Sequence, residues 1–157
     1  MTISQITDYL CIAARNDIKE IKMILQLEIR LIIDMVIHRR PPGEVAELNV
    51  EVISLPAVDF ILLPIPIKLL NKGVEKALPI LRDDGRVLVY CQVGRHRSVA
   101  MAACILISQG YSANEAMTLI ADRRSEANPY AWHIQRQICK YEQFWNHQSV
   151  PLKNRKK

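Results

Sequence analysis

Two apolar runs separated by eight residues constrain this chain more than any other feature. The first, "RVLVY" (residues 86–90), is strand-length and loses all polar alternation after Arg86. Such a run fits a strand buried on both faces, in a parallel sheet covered by helices. The second, Val99 to Gln109, is almost wholly apolar, too long for one strand, and stops at Gly110 as a helix does. A buried strand feeding a buried helix through the short stretch Cys91 to Ser98 is a βα unit of an α/β domain.

The rest of the chain alternates in the same way. Residues near Tyr9 to Ile12 predict a first strand. Asp17-Ile18-Lys19-Glu20 fits a capping box, with Ile18, Ile21, Ile24 and Leu25 following at helical spacing. "RLIIDMVI" (30–37) predicts a strand ended by the loop "HRRPPG", and "VEVISL" (50–55) predicts another. Leu69, Leu70, Val74, Ala77, Leu78 and Leu81 mark an amphipathic helix that Pro79 is expected to kink or end early. Ser112-Ala113-Asn114-Glu115 is a second capping box. Asn128-Pro129 predicts the cap and first turn of a last helix with Ile134, Ile138, Tyr141 and Trp145 on one face. There is no repeat, and no linker is long enough to separate one domain from another. The expectation is a single α/β domain over residues 1–150, with a central, mostly parallel sheet of about four to five strands flanked by helices on both faces, and a basic tail, 151–157.

A chain of 157 residues buries roughly 70% of its unfolded surface, so it needs no disulfide or metal staple. Its four cysteines, Cys11, Cys91, Cys104 and Cys139, lack Cys-x-x-Cys spacing, and no basic-then-apolar leader opens the sequence. Both features point to free thiols in the cytoplasm. The apolar stretches fall short of the ~18 residues that span a bilayer. The net charge of +5 is mostly tail: Pro151 to Lys157 hold four of the 21 Lys and Arg, leaving 17 against 16 acids. That distribution argues against a nucleic-acid partner, and a monomer is expected.

In such a sheet, ligands sit beyond the carboxyl ends of the strands, where Cys91 to Ser98 lie. A tight loop entering a helix turns its backbone N–H groups and the helix dipole toward an anion. Gly94 lets the loop curl, and Arg97 offers a planar fork for two oxygens of a tetrahedral anion. A cysteine there is driven toward its thiolate, which suits Cys91 as a nucleophile under a bound phosphate.

Cys-(x)5-Arg from Cys91 to Arg97, with Gly94 inside it and Ser98 after it, resembles the signature of the cysteine-based protein tyrosine phosphatases. Size and element order resemble the small dual-specificity members. The resemblance implies a loop of Gln92, Val93, Gly94, Arg95, His96 and Arg97 around the phosphate, and a phosphocysteine on Cys91. It also implies that the Ser98 hydroxyl assists departure of the thiolate, and that neither metal nor cofactor is required. The four histidines show no ligand spacing in the sequence. A leaving oxygen needs a proton. Asp59 in "LPAVDF" follows a predicted strand and precedes Cys91 by 32 residues, which matches the family's general acid. Asp34 is the runner-up, more naturally a loop-fixing residue, while Asp83 and Asp84 fall at the wrong end of the 86–90 strand. One departure is Tyr90, where the family usually has histidine.

The implied activity is hydrolysis of phosphorylated protein or peptide, on phosphotyrosine first, with phosphoserine and phosphothreonine as further candidates. Arg95 and His96 also fit a more anionic substrate, a phosphoinositide or inositol polyphosphate, and "HRR" (38–40) is placed to line the same cleft or to remain a solvated loop. A phosphate-binding module without turnover is the non-enzymatic alternative.

Overall fold

The computed structural model describes residues 3–37 and 40–149. The expected tail boundary at residue 150, the tail itself, His38 and Arg39 lie outside the described residues. Five strands form one sheet: β1 (Ser4–Gln5), β2 (Leu10–Ala14), β3 (Ile29–Asp34), β4 (Glu51–Ser54) and β5 (Arg86–Cys91), in the order β1-β2-β5-β3-β4. All neighbours run parallel except the short edge strand β1, which pairs antiparallel with β2. The "RVLVY" run is therefore the central strand, and Val87 to Tyr90 are fully buried.

Among the described residues, six α-helices cover both faces: α1 (Ile21–Gln26), α2 (Gly43–Ala46), α3 (Ile67–Arg82), α4 (Arg97–Ser108), α5 (Ala113–Arg123) and α6 (Trp132–Ser149). Leu31, Ile33, Met35, Val87, Val89 and Cys91 pack on one side with α3 to α6. Ile32, Leu88 and Tyr90 pack on the other with Ile18, Ile24 and Val45. This period-2 split places Cys91 and Tyr90 on opposite faces. Helix α4 is buried from Ser98 to Ile107, as its lack of a polar face required.

Two local expectations are corrected and a third is narrowed. Asp17 does not cap a helix: it opens a 3-10 turn (Asp17–Lys19), its Oδ2 accepts from the Ala14 N–H at 3.1 Å, and α1 starts later with Leu25 exposed. Of the two effects expected of Pro79, an early end does not occur: α3 continues to Arg82. The proline falls at the last turn, where it removes one ladder bond. The last helix does not start at Asn128-Pro129. It begins at Trp132, with the Ala131 carbonyl accepting from Ile134 and Gln135, and Asn128 supports another segment. The Ser112 box stands: the Glu115 N–H donates to its hydroxyl and the Glu115 carboxylate accepts from its N–H.

Candidate active site

The loop after β5 takes its shape from where its carbonyls go. Four consecutive carbonyls are held from outside: Gln92 by the Arg15 N–H (3.3 Å), Val93 and Gly94 by the Arg124 guanidinium (3.3 and 2.8 Å), and Arg95 by the Asn128 N–H (3.0 Å). In a planar trans peptide the next N–H points opposite its carbonyl. The N–H groups of residues 93–96 therefore turn inward, an anion-binding nest at the start of α4. Gly94 has φ +70° and stands so close that a Cβ would meet Arg124 Nη2 at 2.5 Å and the Ala13 carbonyl at 2.8 Å. No other residue fits there without moving the loop.

Cys91 sits at the floor, 2% exposed. Its Sγ accepts from the Gly94 N–H at 3.2 Å and lies 3.2 Å from the Ser98 hydroxyl, itself fully buried. Burial pushes the thiol up. Hydrogen bonds from the Ser98 hydroxyl and from the Ser98 and Arg95 N–H groups, with the Arg97 charge, outweigh it and leave the thiol below its ordinary value. Cys11 behaves oppositely, pushed up to about 11 by burial, and Cys104 is raised well above the usual thiol. Alkylation by iodoacetamide is accordingly expected at Cys91 with a midpoint below the ~8.5 of a free thiol, with Cys11 and Cys104 unreacted at that pH. A Cys91 midpoint at or above the free-thiol value overturns the assignment.

Arg97 points across the site. Its Nη1 donates to the carbonyls of Ala57 (3.0 Å) and Met35 (3.3 Å), which ties the β4–α3 loop to the loop after β5. The same loop is fixed at its far end by the buried Gln137, whose Nε2 donates to the Ile65 carbonyl at 2.6 Å. Between these anchors stands Asp59, partly exposed, with its carboxylate 3.1 Å from His96 Nδ1 and 3.6 Å from His133 Nε2. The fold thus brings Asp59 to the loop of Cys91 across 32 residues of chain.

Other residues named from the sequence fall as follows. Gln92 and Arg95 have exposed side chains, and Val93 is exposed at the rim. Asp34 is fully buried, its Oδ1 accepts from the Val36 N–H at 2.8 Å, and burial raises its carboxyl. It fixes a turn. Asp83 pairs with Arg30 at 2.8 Å, at the opposite end of β5 from Cys91. Tyr90 is buried beside Asp34, its strand-register partner, on the face away from Cys91, and its phenol is raised first by burial and then by Asp34. Arg40 meets the site's flank through its carbonyl, which accepts from Arg15 at 3.4 Å.

Sequence reasoning missed Arg124, His133, Gln137 and the backbone of Asn128. All lie in the segment 121–145, and each acts across at least 30 residues of chain. The signal available was a polar residue on an apolar helical face, as Gln137 is beside Ile138.

Similarity to known proteins runs along the same lines. Residues 10–144 match the family model described as Dual specificity phosphatase, catalytic domain. Over 114 residues the chain is 36% identical to Dual specificity phosphatase 28 of Mus musculus, a match covering 71% of this chain and 64% of that protein. The chain thus spans less than two thirds of that relative's length. The fold superposes on the crystal structure of human DUSP28 with a TM-score of 0.81 at 21% identity, covering 92% of this chain and 95% of that one. It superposes on PTPMT1 in complex with PI(5)P with a TM-score of 0.78 at 23% identity, covering 94% and 99%.

Proposed function

Because the chain belongs to the dual specificity phosphatase catalytic-domain family, we propose that it hydrolyses phosphate monoesters on proteins through a phosphocysteine, phosphotyrosine among its substrates. The observation that carries this reading is the buried Cys91 sulfur, with the Gly94 N–H and the Ser98 hydroxyl each 3.2 Å away. In the first step Sγ attacks phosphorus, the ester P–O bond breaks, and Asp59 gives its proton to the leaving oxygen. In the second, Asp59 takes a proton from water, the water oxygen attacks phosphorus, and the P–S bond breaks. The Ser98 hydroxyl, 3.2 Å from the sulfur, then stabilises the departing thiolate. The N–H groups of residues 93–96 and the Arg97 guanidinium bind the equatorial oxygens through both transition states. No step needs a metal. A thiolate of this kind works only while reduced, so the reading extends to the cytoplasm.

Asp59→Asn is expected to slow hydrolysis of poor leaving groups by about 10²-fold or more. The loss should shrink as the leaving group becomes more acidic, because such an oxygen departs without help. A loss that is the same across leaving groups removes Asp59 from the acid role.

A phosphoinositide substrate is the second reading. It is favoured by the exposed Phe60, Ile61, Leu62, Leu63 and Trp132 near Asp59 together with the exposed Arg95, a rim that fits an anionic head group beside an apolar surface. The fold-level neighbour bound to PI(5)P agrees with it. Initial rates on phosphotyrosine peptide, phosphoserine peptide and PI(5)P, measured in EDTA, separate the two. A chain that binds vanadate but turns over none of them is a phosphate reader.

A further inference from the structure

His96 and His133 are 37 residues apart in the chain, yet they flank one carboxylate. His96 is the residue before α4, His133 lies in the first turn of α6, and Asp59 lies between β4 and α3. Both Asp59 oxygens are within 3.1–3.2 Å of His96 Nδ1, and Oδ1 is 3.6 Å from His133 Nε2. One ligand atom from each of the three falls within 4.8 Å of the others. The two imidazoles stand edge to face, 5.1 Å between centroids at 76°, so neither ring blocks the other. A hydrogen-bonded Asp–His pair needs only one imidazole, and the second is unexplained by the proposed hydrolysis.

The spacing has a chemical reading. Zinc binds nitrogen and carboxylate oxygen at about 2.0–2.1 Å in a tetrahedron, whose ligand-to-ligand edge is then about 3.3 Å. The Asp59 contacts of 3.1 and 3.6 Å bracket that edge. Two imidazoles and one carboxylate select zinc over magnesium or calcium, which prefer all-oxygen shells. The side chains are partly open to solvent, at 19% for His96, 12% for His133 and 35% for Asp59, which leaves a route in from solvent and room for a fourth ligand from water.

We propose that Asp59, His96 and His133 form an inhibitory zinc site at the mouth of the active site. The inhibition, though not the binding, rests on the reading of Asp59 as general acid. A carboxylate that ligates zinc cannot hold the proton the leaving oxygen needs, and the metal ties the Asp59 loop to the phosphate loop and α6. Zinc on this site acts as an off-switch for a reaction that itself uses no metal.

The test starts from protein stripped with EDTA and returned to chelator-free buffer. Added Zn²⁺ is expected to suppress aryl phosphate hydrolysis, and EDTA to restore it. His133→Ala and, as a gentler change, His133→Gln should each require at least about tenfold more Zn²⁺ for the same suppression. Co²⁺ reports the geometry independently of activity. It should give the visible absorption of a tetrahedral site in wild type and in Cys91→Ser alike, without sulfur-to-cobalt charge transfer, and lose it in both His133 variants. If the chain is no phosphatase, the cobalt titration still reads the site. Zinc suppression unchanged by both His133 variants, or a cobalt spectrum that vanishes in Cys91→Ser, puts the metal on the thiolate and overturns the proposal.

Discussion

Cys91→Ser is expected to lower hydrolysis of a small aryl phosphate by at least about 10⁴-fold while leaving phosphate binding and folding nearly intact. Removal of a nucleophile costs this much because no other group takes over bond formation. A serine at the same place keeps the shape of the floor, but its hydroxyl ionises far above any thiol. The donors that favour a thiolate here, the Ser98 hydroxyl, the Gly94, Arg95 and Ser98 N–H groups and the Arg97 charge, cannot make an alkoxide at neutral pH. The same donors still face a phosphate, so binding survives. Stability at neutral pH should hold or fall slightly, since a thiol held below its ordinary value adds stability as the thiolate that serine cannot supply. Initial rates in EDTA and vanadate calorimetry on the same preparation check both halves. Residual turnover within tenfold of wild type removes Cys91 from the nucleophile role, and loss of vanadate binding shows that the sulfur, not the backbone nest, holds the oxyanion.

What the sequence made legible was set by range. The central strand, the helix behind it and the loop between them are contiguous, and burial on both faces leaves only one reading of "RVLVY". Asp59 was reachable too, because it follows a strand end at the separation from Cys91 that the family resemblance implies for the acid. His133 and Arg124 were not. Each meets its target across a gap that no periodicity records: His133 reaches Asp59 over 74 residues and Arg124 reaches Gly94 over 30. The histidines show the limit well, since no ligand spacing exists in the chain and the pair assembles only when the fold sets the first turn of α6 beside His96. The local misses have a common cause. Asp17 and Asn128 carry the chemistry of helix caps, but their neighbours draw them elsewhere: Asp17 accepts from Ala14, and the Asn128 N–H holds the Arg95 carbonyl. Capping propensity, worth about 1 kcal/mol, yields to contacts that shape the loop.

Arg124 holds the loop's geometry in place, and its removal should show in stability and chemistry together. The side chain is 3% exposed and donates to the Gly94 carbonyl (2.8 Å), the Val93 carbonyl (3.3 Å), the Ile12 carbonyl (3.5 Å) and the Ser4 hydroxyl (2.9 Å), with Asp17 at 3.9 Å. Arg124→Met keeps much of the volume and removes every donor. Each buried acceptor left unpaired costs about 1–3 kcal/mol, and the nearly buried Asp17 loses its cation. A combined loss of about 3–5 kcal/mol follows, as when one partner of a buried charged network is deleted. For a chain this size that lowers Tm by roughly 6–20 °C. The surviving folded protein should be impaired as well. Without Arg124, the Val93 and Gly94 carbonyls are free to rotate, the N–H groups of Gly94 and Arg95 lose their aim at Cys91, and the thiol rises. Arg124→Lys separates charge from shape: one ammonium can serve Asp17 or a carbonyl, but not the whole fan of acceptors, so its Tm should fall between the two. Calorimetry and the pH profile of Cys91 alkylation read the two effects. A Met variant with unchanged Tm and an unchanged Cys91 midpoint would mean that Arg15 and Asn128 hold the loop by themselves.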